Sequence, residues 1–261
     1  MKYSDFLSVI ALMEDVGKRI LTWRIDEAYK HLNSVDDFKT EADQCAHNLI
    51  FTGLSEIYSN VEIISEESEG LKASRPDAYW LIDPIDGTAS WYHGFDGFVT
   101  QAAYIEGGIP LFGVVCAPVL KKTWTALRGG GAYINGKRLP LLKSSDRLLL
   151  VDNTSSPHGI TKHIAIAMPV TGYIESGSLG LKTALVADGT ADLFIKDVCV
   201  RDWDLAPAAV VLAEVGGGIC MSDGSPYIFD GPFEKDGGFI VARDLPLLNK
   251  AIDAFARCKK S

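Results

Sequence analysis

The apolar run Tyr79-Trp80-Leu81-Ile82 passes directly into Asp83-Pro84-Ile85-Asp86-Gly87-Thr88. The run reads as a buried strand over residues 79–82 that delivers Asp83 at its end. Two carboxylates and a hydroxyl then fall within six residues, at a place where charge needs compensation. Pro84 fixes φ and stiffens the turn, so that Asp83 and Asp86 can face one point with the Ile85 carbonyl between them. Gly87 permits backbone amides to approach an anion, and Thr88 can orient a water. A second acidic station lies upstream at Glu66-Glu67 and a third downstream at Trp203-Asp204. Converging on one point, such stations would hold hard divalent cations, which take oxygen ligands, and a site of that kind acts on phosphate. By itself the Asp-x-x-Asp-Gly-Thr run also suits a capped turn at a strand end.

Around this motif the first 145 residues read as α+β. Phe6, Val9, Ile10, Met13, Val16 and Ile20 recur at helical spacing, and a second helix starts near Thr40 with Ala42, Cys45, Leu49, Ile50 and Leu54 on its inner face. Strands are predicted over 61–64, 98–105, 111–115 and 123–127, with Gly107-Gly108 as a turn. The glycine-rich stretch Gly129-Gly130-Gly131 followed by Asn135-Gly136 reads as a hairpin and not a phosphate loop, because the Gly-Lys-Ser/Thr ending and a following helix are missing. A polar passage at 143–147 marks a boundary. The second subdomain, 146–261, alternates strands (148–151, 191–195, 239–242) with helices (179–187, 205–215, 246–255), which is the pattern of α/β layering.

The net charge of −9 argues against a nucleic-acid polymer as partner. It leaves an anionic small substrate open, since bound cations reverse the local field. No segment reaches the ~20 apolar residues of a membrane helix. Five scattered cysteines without CxxC spacing, and an amino terminus that opens directly into an amphipathic pattern, lead to the expectation of a cytoplasmic protein with reduced thiols.

Taken together, these residues resemble the inositol monophosphatase superfamily of Mg²⁺-dependent, lithium-sensitive phosphatases. The signature run is matched by Asp83–Thr88, the tryptophan-aspartate pair opening a helix by Trp203-Asp204, and the paired-glutamate station after a strand by Ile64-Ser65-Glu66-Glu67. Thr40-Glu41-Ala42-Asp43 falls where the family places the aspartate that partners the threonine. The resemblance implies an αβαβα sandwich with the site between two subdomains, two or three Mg²⁺ ions, and commonly a homodimer. It implies Glu66, Asp83 and the Ile85 carbonyl as ligands of a first metal. Asp83 would bridge to a second metal held by Asp86 and Asp204, with Glu67 outside the ligand set. It further implies that Thr88, polarised by Asp43, orients the attacking water, that amides of Gly87 and Thr88 hold the phosphate, and that no covalent phospho-enzyme forms.

For the substrate, Ser65, the segment Cys116-Ala117-Pro118-Val119 and the segment Gly177-Ser178-Leu179-Gly180-Leu181-Lys182 resemble the 3′(2′),5′-bisphosphate nucleotidase branch, where Lys182 would pair with a second phosphate. Asp197, seven residues before Asp204, stands where inositol phosphatases use an acid to accept a substrate hydroxyl, and Ala89 departs from both branches. The nucleotidase reading is the first expectation and an inositol or other polyol monophosphatase the alternative. A non-catalytic metal-binding member and an aspartyl-nucleophile phosphatase, which would need Asp-x-Asp, rank below both.

Overall fold

A computed structural model describes residues 1–34, 38–68 and 74–259. Helix α1 (Leu7–Trp23), the short strands β1 (Leu32–Ser34) and β2 (Lys39–Thr40) and helix α2 (Glu41–Ile57) come first. They precede β3 (Glu62–Ser65), β4 (Ala78–Asp86), the short helix α3 (Thr88–His93), β5 (Val99–Glu106), β6 (Ile109–Ala117), β7 (Lys122–Leu127), β8 (Gly131–Ile134) and β9 (Lys137–Arg138). Strands β3 to β9 form one sheet in sequence order, antiparallel except for the parallel β3–β4 pair.

The remaining elements are β10 (Leu149–Asp152), α4 (Gly159–Ala167), β11 (Gly172–Glu175), α5 (Leu179–Ala187), β12 (Leu193–Lys196), β13 (Val200–Arg201), α6 (Asp202–Glu214), β14 (Gly218–Met221), β15 (Glu234–Lys235), β16 (Phe239–Ala242) and α7 (Leu245–Cys258). The second sheet has the order β11-β10-β12-β16-β14 and is mixed, with β11, β10 and β12 parallel. Helices α1 and α2 pack on one face of the first sheet, α5 and α6 lie between the sheets, and α4 and α7 cover the outer face of the second. This is the expected αβαβα layering.

Burial explains the layering. Phe6 stacks on Phe112 at 4.1 Å between centroids with Trp80 edge-on at 6.1 Å, closing α1 onto the sheet. Each such side chain contributes about 1.5–3 kcal/mol on leaving water. On the other face α6 presses directly on β6, where a Cβ on Gly113 would meet the Pro207 carbonyl oxygen at 2.1 Å.

Several details depart from the sequence pattern. Strand β4 does not end at Ile82 but runs on through Asp86. Its register to β5 moves from Asp83↔Gln101 to Asp86↔Val99, so three steps on β4 oppose two on β5. Pro84 occupies that bulge, where its missing N–H breaks no regular ladder. The motif is thus a bulged strand end and not a turn after the strand. Helices α3 and α4 have no counterpart in the predicted pattern, being only six and nine residues long. The Asn135-Gly136 hairpin is observed, with φ of 49° and 73°. The amides of Gly129 and Gly131 are taken up by the Glu214 carboxylate, each at 2.7 Å.

Candidate metal centre and its surroundings

Four elements converge on the bulged end of β4. Asp83, Asp86 and Asp204 each place a carboxylate oxygen within 4.8 Å of the others. Asp83 is 1% exposed, and neither of its oxygens has a hydrogen-bond partner among the described residues. An ionised carboxylate so placed is costly unless a cation compensates it. Asp83 and Asp204 are therefore held well above the usual carboxylate range, by burial first and then by the neighbouring acids: Glu66 for Asp83, Asp86 for Asp204. Glu66 is pushed up to about 7 by burial and by Glu67 beside it. Hard oxygen donors, two orphaned oxygens and clustered charge fit a divalent cation.

Asp86 is raised by burial, a rise opposed by a dense set of donors. Its Oδ2 accepts from Ser178 Oγ at 2.6 Å and from the Gly180 amide at 2.7 Å, and its Oδ1 from the Leu179 amide at 3.2 Å. All three come from the start of α5, so the second half of the chain orients a ligand from the first. The Gln101 amide adds a fourth donor at 3.2 Å. Its Nε2 also donates to the Trp203 carbonyl at 3.0 Å. That carbonyl is available because the residue four places on in α6 is Pro207, which has no N–H to give it. Gln101 thus ties the β4 ligand to the first turn of α6, which carries Asp204.

The threonine arrangement expected from the sequence is present. Thr88 Oγ1 lies 2.8 Å from Asp43 Oδ1 and 2.9 Å from the Ile85 carbonyl oxygen. Asp43 Oδ2 accepts from the Thr40 hydroxyl at 2.5 Å and the Thr40 amide at 2.8 Å. Burial pushes Asp43 up, against these bonds. Gly87 adopts φ +94°, and a Cβ there would stand 2.9 Å from the Gly97 carbonyl oxygen, so the turn into α3 requires glycine.

Other expected residues lie elsewhere. Lys182 is 2% exposed, with its ammonium 4.9 Å from the centroid of Phe194. Burial lowers its pKa to about 8. Buried there, it lies within electrostatic reach of Asp152, Asp86 and Asp204. Asp197 follows β12 and is exposed. Glu67 pairs with Lys39 at 3.3 Å, away from the three aspartates. Asp202 opens α6 and is fully buried against Arg75, Tyr227 and Lys235, and Arg75 in turn donates to the carbonyls of Phe229, Gly231 and Pro232. His93 is exposed. The pattern did not disclose Gln101 and Arg201, and it offered Ser178 only within the segment 177–182, without its bond to Asp86. A lone amide within the apolar run 98–105 was the available signal for Gln101.

Buried carboxylates at a bulged strand end, a threonine wired to a fourth acid and an αβαβα frame define a metal-dependent phosphomonoester hydrolase. The chain belongs to the inositol monophosphatase family, whose family model matches residues 8–259. It is 30% identical over 249 residues to a fructose-1,6-bisphosphatase/inositol-1-monophosphatase of Thermotoga maritima, covering 94% of this chain and 95% of that one. It is also 30% identical over 187 residues to a 3′(2′),5′-bisphosphate nucleotidase CysQ of Aggregatibacter actinomycetemcomitans, covering 68% and 70%. Among solved structures, a Thermotoga maritima IMPase aligns with TM-score 0.81 at 26% identity over 97% of this chain and 96% of that one. Among the described residues no helix is long and apolar enough to cross a membrane.

Proposed function

We propose that the chain hydrolyses a small phosphomonoester with two or three Mg²⁺ ions held by Glu66, Asp83, Asp86, Asp204 and the Ile85 carbonyl. The observation that carries this reading is the unpartnered, buried Asp83 beside Asp86 and Asp204. When bound, the ions would neutralise the phosphate, acidify water and take up charge on the leaving oxygen. The residues do the rest. Thr88 donates its single hydroxyl hydrogen to Asp43 or to the Ile85 carbonyl, leaving its lone pairs to accept from the attacking water. Asp43 is in turn fixed by Thr40. Gly87 and Thr88 turn their amides at the head of α3 toward the phosphate.

For the substrate, burial of Lys182 removes the partner that a second phosphate would need, whereas Asp197 offers an exposed carboxylate to a hydroxyl. A sugar or polyol monophosphate is therefore the better fit. A 3′(2′),5′-bisphosphate nucleotide is the second reading, supported by the nucleotidase relative and by the electrostatic pull that Lys182 shares with Asp86 and Asp204. Phosphate release from inositol 1-phosphate, fructose 1,6-bisphosphate and adenosine 3′,5′-bisphosphate, with and without Mg²⁺, ranks the two. Turnover that survives a chelator, or survives Asp83→Asn, removes the metal reading altogether.

A further inference from the structure

Arg201 ties three acids around the candidate centre together. Its Nη1 lies 3.2 Å from Glu66 Oε1, its Nε 3.0 Å from Glu234 Oε1, and its backbone amide donates to Asp204 Oδ2 at 2.8 Å. The β13–β15 pairing sets Arg201 directly opposite Glu234, so the backbone fixes that register. Its guanidinium also sits 5.9 Å from the centroid of Trp203. The Arg201 side chain is 38% exposed and the Glu66 side chain 20%, so this pair stands at the rim of the buried aspartates.

We propose that Arg201 is a positioning residue that sets the divalent-cation affinity of the centre by sharing Glu66, and that Glu234 governs how much of Arg201 Glu66 receives. The inference rests on the metal-centre reading of Glu66, Asp83, Asp86 and Asp204. A guanidinium on Glu66 Oε1 competes with a cation for the same oxygen and adds positive charge beside it. Glu234 holds the other edge of the same planar fork and draws charge away from Glu66. The two residues therefore push affinity in opposite directions. In the cation-free protein the same guanidinium offsets repulsion between Glu66 and its neighbours, which ties the device to stability as well.

Mg²⁺ titration by calorimetry, with the Mg²⁺-induced shift in Tm as a second readout, tests this without substrate. Arg201→Gln binds Mg²⁺ about fivefold more tightly than the parent, the order expected for one unit charge several ångströms away at a partly exposed site. Glu234→Gln binds it more weakly by a few fold, and Arg201→Lys, which keeps the charge, stays near the parent. The double variant matches Arg201→Gln, because Glu234 acts only through Arg201. The gap between parent and Arg201→Gln narrows as salt is raised. If Arg201→Gln does not fold, the exposed Glu234→Gln and the charge-retaining Arg201→Lys carry the test. Equal affinity across the set, or a loss in Arg201→Gln at parental Tm, overturns the proposal while leaving the metal centre intact. A parent protein that binds no Mg²⁺ overturns both.

Discussion

Gly97 and Gly177 touch backbone to backbone. A Cβ on Gly97 would stand 2.1 Å from the Gly177 amide nitrogen, and one on Gly177 would stand 2.1 Å from the Gly97 carbonyl oxygen. Gly97 follows α3, and Gly177 precedes the Ser178–Gly180 turn that donates to Asp86. The two halves of the chain are therefore docked beside the candidate metal ligands by a contact that admits no side chain. Gly177→Ala is expected to cost about 1–3 kcal/mol of stability through overpacking. It should also raise the Mg²⁺ concentration needed for half-maximal activity, since the Asp86 donors move with it. Denaturant titration and Mg²⁺-dependent kinetics check both, and an unshifted Mg²⁺ dependence at reduced stability would separate the docking contact from the site.

Asp83→Asn removes one charge from a crowded, unpartnered position. The cation-free variant is expected to melt at a higher temperature than the parent at pH 8, while its Mg²⁺-induced gain in Tm and its turnover fall by about a hundredfold or more in affinity and rate. Differential scanning calorimetry with and without Mg²⁺ provides the measurement. A variant less stable than the parent in chelator speaks against the repulsion described at this site.

The raised carboxylates give the cation-free protein a defined pH response. Glu66 titrates near its ordinary value when unfolded and near 7 when folded. Stability from holding it protonated is present below the unfolded value and is lost as pH rises through about 7. Burial acts in the same direction on Asp83 and Asp204. Stability in chelator should therefore fall between pH 5 and 8, and the Mg²⁺-induced gain in Tm should grow over the same interval. A gain that is flat with pH contradicts the assignment of these acids to the cation.

Gln101→Leu deletes the donor to Asp86 and to the carbonyl that Pro207 leaves unsatisfied. The buried carbonyl costs about 1–3 kcal/mol. Cation affinity should fall by roughly 10- to 100-fold, the usual scale for a group that orients a ligand. Gln101→Glu should be worse for Mg²⁺-free stability, since it adds charge to the cluster. Calorimetric titration of both variants would falsify the linking role if affinity stayed at the parental value.

Thr88→Val should lower kcat by about 10²–10⁴ with little change in KM, whereas Thr88→Ser keeps the hydroxyl and most of the rate. A Val variant as active as the Ser variant would mean that the Thr88–Asp43 bond serves only the start of α3.

Much of this was legible in the residues. Alternation and apolar runs located the long strands, and the start of α2 was placed near Thr40, which is its N-cap. The Asp83–Thr88 run and Trp203-Asp204 pointed to three aspartates that the fold brings within 4.8 Å of one another. What escaped notice was relational. Nothing in the local pattern around Gln101 says that Pro207, 106 places on, frees a carbonyl for it. Ser178 reads as a loop serine until Asp86 is placed beside it. Lys182 shows the converse: its type suggested an anion partner, but only packing reveals that Phe194 covers its ammonium. The strand end was placed four residues early because a proline normally stops a ladder, and a bulge cannot be read from one strand alone.

Asp43 and Asp204 each sit three residues past a helix N-cap and take up its amide, at Thr40 and Arg201 respectively. The acids proposed to orient water and to bind cations are therefore the same acids that start α2 and α6. A lineage drifting away from catalysis would pay in helix stability for each of these two aspartates it gave up. Their retention in a relative is thus no guarantee of activity, whereas replacement of Asp83, which caps nothing, is the change that a silent member could accept at a profit in stability.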